Sequence, residues 1–99
     1  MNSNPLEVIQ KLDNDLYENV TNTIEITFKE GALSVKTKLL IAIAIDATKG
    51  AQDGVKSLVN QALKAGATKD EIMESLRVAN YISGASSVYT SACALKEIF

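Results

Sequence analysis

Val55, Leu58, Val59, Ala62 and Leu63 recur at i, i+3, i+4, i+7 and i+8, the stripe of an amphipathic helix. Gly66 is placed to close it. Thr68-Lys69-Asp70-Glu71 then reads as a capping box, in which the Thr hydroxyl and the Glu carboxylate each satisfy a free backbone N–H. Ile72, Leu76, Ala79 and Ile82 form the predicted inner face of the helix that follows. Gly84-Ala85-Ser86-Ser87 breaks that helix, and a last one carries Val88, Ala92 and Leu95.

Towards the start, Asn4-Pro5 is a helix opening: asparagine caps, and proline at the first helical position loses no needed N–H. Leu6, Ile9, Leu12 and Leu16 follow at helical spacing, and Asp13-Asn14-Asp15 is where a second helix can be capped. Between Thr21 and Phe28 the pattern is ambiguous. Ile24, Ile26 and Phe28 alternate with Glu25 and Thr27, as in a strand. No second convincing strand exists to pair with it, so helix is the reading, with Gly31 as its stop.

Ser34 is a good cap for the next helix, from Val35 to about Thr48. Leu39, Leu40, Ile41, Ile43 and Ile45 lie there with Ala42, Ala44 and Ala47 between them. Ile–Ala alternation resembles a strand, but length and alanine content favour helix. A helix apolar on nearly all sides must be buried on nearly all sides. In so small a domain, part of that burial is expected from another subunit. The predicted fold is all-α: one domain over residues 1–99, five to six short helices, no linker and no repeat.

Composition narrows the picture. The chain has 99 residues, 46% of them hydrophobic but only 5% aromatic, so Ile, Leu, Val and Ala must build the core. A net charge of −2 without a basic stripe argues against nucleic-acid binding. The longest apolar run, Leu39 to Ile45, is too short to span a bilayer. Met1 to Pro5 lacks a basic n-region, so no signal peptide is expected. Cys93 is the sole cysteine, which excludes an intrachain disulfide, and cytoplasm is the expected location. No motif calls for a cofactor or a metal.

Gly50-Ala51-Gln52-Asp53-Gly54 is the junction between two strongly apolar helical runs, a natural place for an anion or a reactive side chain. It holds no cysteine, and the whole chain has no histidine.

Three pieces stand in a recognisable order: Leu33 to Ala44, Ala62 to Ile72 with its Gly66-Ala67-Thr68 turn, and Ala79 to Gly84. Together they resemble the carboxymuconolactone decarboxylase family, which includes the AhpD-like alkylhydroperoxidases, over roughly Gly31 to the C-terminus. The resemblance implies an all-α fold assembled into homo-oligomeric trimers or hexamers, and decarboxylase or peroxiredoxin-type activity. In the thiol branch, a Cys-x-x-Cys motif opens the helix before the Gly-Ala-Thr turn, where a helix N-terminus lowers a thiol pKa and a histidine helps carry the proton. Counted back from Gly66, those cysteines would fall at Ala51 and Gly54, the histidine at Leu58, and a supporting glutamate at Leu39. The polar residue between the cysteines is Asp53. In the lactone-decarboxylase branch, the proton-transferring histidine would also fall at Leu58, and leucine has no titratable group. Thiol peroxidase activity is therefore not expected.

Among the remaining candidates, Asp46 on the apolar helix either faces a cavity as acid or base, or emerges at the helix end or pairs with a lysine. Asp53 and Gln52 either cap a helix or act on a ligand. Gly50 and Gly54 either admit an anion to backbone N–H groups or serve the backbone alone. Tyr81 either lines a small intersubunit pocket or is a core tyrosine with its hydroxyl at the rim. Cys93 is either a reactive or intersubunit thiol, or a small buried hydrophobe. Two functions follow. One is a small-molecule-binding protein, or an enzyme with a relocated site using Asp46, Asp53 or Tyr81. The other is a non-catalytic oligomeric scaffold or interaction module.

Overall fold

A computed structural model describes residues 4–99, so the part of the leader reading that falls on residues 1–3 lies outside the described residues. Six helices and no strand are found among the described residues: α1 (Leu6–Leu12), α2 (Asn14–Thr27), α3 (Val35–Thr48), α4 (Gln52–Lys64), α5 (Lys69–Ser83) and α6 (Ala85–Leu95). No helix among them is long and apolar enough to cross a membrane.

Local chemistry explains most boundaries. Asn4 Oδ1 accepts the Leu6 N–H at 2.9 Å, and the Asp13 carboxylate accepts the Leu16 N–H at 3.1 Å to cap α2. Ser34 Oγ accepts the Thr37 N–H at 3.1 Å and opens α3. The ambiguous segment is helical, since α2 runs to Thr27 and ends at Phe28, before Gly31. Phe28, at the end of that helix, packs against the core.

Helices α3 to α6 form a bundle. Its core holds Leu39, Ile43 and Ala47 of α3, Val55, Val59 and Ala62 of α4, and Ile72, Leu76 and Ala79 of α5. One expected face is corrected. Ile82 is 71% exposed, because it lies on the side of α5 that faces an open groove beside α3. On α6, Ser87, Ser91 and Ala94 point inward, while Val88 and Ala92 are exposed and Leu95 is half-buried. The serine hydroxyls donate to the carbonyls of Gly84 (2.8 Å) and Ser87 (2.7 Å). Satisfied within their own helix, they can be buried and let α6 come close. Helix α3 is likewise covered only along Leu39, Ile43 and Ala47, and Ile41 and Ile45 are half-exposed. One small bundle has too few helices to surround it.

The capping box is present: Thr68 N–H donates to Glu71 Oε1 (2.9 Å) and Glu71 N–H to Thr68 Oγ1 (3.1 Å). Lys36 Nζ reaches Glu71 Oε2 at 2.9 Å and ties α3 to α5. The Thr68 N–H, and after it the Lys36 ammonium, hold the Glu71 carboxyl below its ordinary value of 4.5. A carboxylate whose pKa is depressed by folding contributes stability above its unfolded pKa and loses it as pH falls through the folded one. Glu71→Gln keeps an acceptor oxygen but removes the charge. Thermal melts should show the wild type more stable than Glu71→Gln at neutral pH. The gap should close as pH falls below 4.5, and a gap independent of pH would contradict this assignment.

Candidate functional site

The junction between α3 and α4 is built by backbone geometry. Gly50 N–H donates to the Ala47 carbonyl (3.2 Å) and Ala51 N–H to the Asp46 carbonyl (3.0 Å). This pair of bonds turns the chain through the left-handed region at Gly50, with φ 73°. Gly50 therefore ends α3. Ala51 opens α4 without any side-chain cap. The first turn of α4 thus has no side-chain cap for its N–H groups, and the helix dipole is positive there.

Asp46 meets that turn. Its side chain reaches from the last turn of α3 to α4, and Oδ2 occupies the space beside Gly54 where a side chain would stand. A Cβ built at Gly54 would overlap Oδ2 and would also touch the Ala51 Cβ. The approach exists because residue 54 is glycine. Asp46 is half-buried, and among the described residues its carboxylate makes neither an ion pair nor a side-chain hydrogen bond. Of the two bland readings of Asp46, pairing with a lysine is thus not what is found. The carboxylate sits at the C-terminal end of one helix, an unfavourable place, and beside the first turn of the next, a favourable one.

The other candidates are dispersed. Asp53 is exposed and lies with Lys56, Ser57 and Lys64 along the outer, polar side of α4. Gln52 is exposed beside it. Tyr81 is 86% exposed, so it is not a core tyrosine within this chain. Cys93 is half-buried on α6. Leu39 is buried, and Leu58 packs against the same core. The two positions where the resemblance puts a glutamate and a histidine therefore carry aliphatic packing. The structure brings together Asp46, Ala51 and Gly54, and leaves Asp53 and Tyr81 apart from them.

A groove of about 490 Å³ between α3 and α5 escaped the sequence reading. Leu40, Ile41, Ala44 and Ile45 line one side, and Val78 and Ile82 the other, with Glu71 and Glu74 near one end. Its only sequence signal was the excess of apolar residues on α3. The groove lies on a different side of α3 from the one that packs in the core.

Comparisons with known proteins bear on the whole chain. The model of the carboxymuconolactone decarboxylase family matches residues 14–97. This chain belongs to the carboxymuconolactone decarboxylase family. The match takes in α2, which the three sequence pieces did not reach. Among solved structures, the fold is similar to apo-lpg0406, a carboxymuconolactone decarboxylase family protein from Legionella pneumophila. The TM-score is 0.86 at 31% identity, covering 92% of this chain and 81% of that one. Two uncharacterized proteins of Methanocaldococcus jannaschii are also similar. MJ1511 is 28% identical over 93 residues, covering 94% of this chain and 87% of its own length. MJ0742 is 31% identical over 93 residues, covering 93% and 88%.

Within that family, the α3–α4 junction is where the resemblance places the reactive thiols, at Ala51 and Gly54. Chemically, the junction of this member carries one half-buried carboxylate, Asp46, and no thiol. It cannot form a disulfide or a thiolate.

Proposed function

We propose that this family member is a homo-oligomeric, small-molecule-binding protein that works without thiol chemistry, with Asp46 as the polar anchor of its site. The observation that carries this reading is the Asp46 carboxylate filling the space that any side chain at Gly54 would need. A carboxylate there takes the place of the thiol and supplies a hydrogen-bond acceptor and proton-transfer group. A ligand with its own carboxylate would meet like charge, so the matching class is neutral or cationic, bearing a hydroxyl or an amine. Any catalysis would be proton transfer on such a molecule. A trimeric or hexameric assembly and a cytoplasmic location belong to this reading.

Two measurements test it. The purified protein, given a hydroperoxide and a dithiol reductant, should consume no more peroxide than the reductant alone. Robust turnover would overturn the thiol-free reading. A thermal-shift screen of hydroxyl- and amine-bearing molecules should find ligands that raise Tm, since a ligand that binds only the folded state stabilises it. Asp46→Asn should abolish that rise.

The second reading is a non-catalytic scaffold or interaction module. The apolar floor of the α3–α5 groove favours it, because such a surface suits a packed partner better than a polar metabolite. A screen that finds no ligand, alongside a stable assembly by light scattering, would leave this reading standing.

A further inference from the structure

Helices α1 and α2 pack on each other, yet none of their residues is buried. They have 7 and 14 residues, and isolated helices shorter than about 12–15 residues are marginal in water. Phe28, just after α2, packs against the core of its own chain, and no extensive contact joins α1 or α2 to the bundle. Leu12, Leu16 and Ile24 stay exposed on this arm. The bundle has the converse defect, an apolar groove between α3 and α5 whose lining includes no residue of α1 or α2.

The whole-molecule dimensions agree. The radius of gyration is 14.5 Å, against about 13 Å for a compact domain of this length. The accessible surface is 6840 Å², about 1,300 Å² more than the roughly 5,500 Å² of a compact monomer of this mass. Stable associations remove about 1,200–2,000 Å² in total, so the excess on one chain already reaches that range.

We propose that the α1–α2 arm of one copy of this chain lies in the α3–α5 groove of a second copy. The exchange rests on the self-association reading of the proposed function. Its fit is specific. Helix α2 is about 21 Å long, and the groove from Thr37 to Thr48 runs for about 16 Å. Leu16, Val20, Ile24 and Thr27 share one face of α2 without an ionised group, while Asp15, Glu18 and Glu25 lie away from that face. Seating that face leaves the arm's carboxylates in water. At the groove's acidic end, Glu71 already has Lys36 as its partner. A second copy is the occupant because each chain carries both complementary surfaces. One symmetric exchange covers both at once, whereas a foreign partner in the groove would leave the arm uncovered.

The test uses the full chain. Ile24→Glu charges the arm and Val78→Glu charges the groove, both at positions exposed in their own chain, so circular dichroism should report an intact bundle. By light scattering at micromolar concentration, each variant should fall to the mass of one chain while the wild type stays oligomeric. Independently, in a Cys93→Ser background, Leu16→Cys and Ile41→Cys chains refolded together should form a disulfide-linked heterodimer on a non-reducing gel. Wild-type mass in both charge variants, with no cross-link, overturns the exchange. Loss of assembly in Val78→Glu alone overturns the arm as occupant and leaves self-association through the groove. A monomeric wild type overturns both this exchange and the self-association on which it rests.

Discussion

Ile43→Ala should lower the unfolding free energy by about 2–5 kcal/mol, the cost of deleting a fully buried aliphatic side chain together with the cavity it leaves. Ile43 is fully buried midway along α3, the helix against which α4, α5 and α6 all pack. The cavity has little means of collapsing, because four helices fix its walls. For a domain of this size the loss corresponds to a fall in Tm of about 10–30 °C. Ile41→Ala, two residues away on the open side of α3, should cost less than about 1 kcal/mol in the isolated chain. Urea unfolding at one fixed protomer concentration compares the two, with the slope of the transition unchanged. Equal losses at both positions in the Val78→Glu background, where the groove is uncovered, would contradict the assignment of α3's inner and outer faces.

The second large effect concerns the Asp46–Gly54 contact. In an ordinary helix, glycine to alanine gains about 1 kcal/mol. Gly54→Ala should fail to gain it, since the new Cβ needs the space of Oδ2 and drives the carboxylate from the α4 N-terminus. That position favours a carboxylate by about 0.3–1 kcal/mol. With Asp46→Ala in the same chain, Gly54→Ala should stabilise by up to about 1 kcal/mol. The four-member cycle should therefore show a coupling of about 1–2 kcal/mol. Additive effects would mean that the two groups do not compete for one space. The same argument applies to restoring a thiol, as Gly54→Cys should be accommodated only when Asp46 is replaced.

The capped starts of α2, α3 and α5 were legible because each rests on side-chain-to-backbone bonds within three residues, at Asp13, Ser34 and Thr68. The inner faces of α4 and α5 were legible from helical spacing, apart from Ile82. The inner face of α6 is not legible in the sequence because serine counts as polar, whereas Ser87 and Ser91 satisfy their hydroxyls on their own helix and then behave as small packing residues. At the junction, sequence reading named Asp46, Asp53 and Tyr81 without ranking them by place. Only the structure separates the one carboxylate that faces Gly54 from two exposed side chains.

Composition by itself determined that the chain has no histidine and one cysteine, which leaves no Cys-x-x-Cys pair whatever the fold. Local patterning determined the helices, because capping and period are properties of neighbouring residues. Tertiary structure alone decided which apolar residues are core and which remain open. Leu39 and Ile41 are alike in chemistry, and only the placement of α4, α5 and α6 buries one and leaves the other at a groove. It also decided that the carboxylate of Asp46, eight positions before Gly54 in the chain, fills the space a side chain at Gly54 would need. That contact depends on the angle between two helices, which no periodicity encodes.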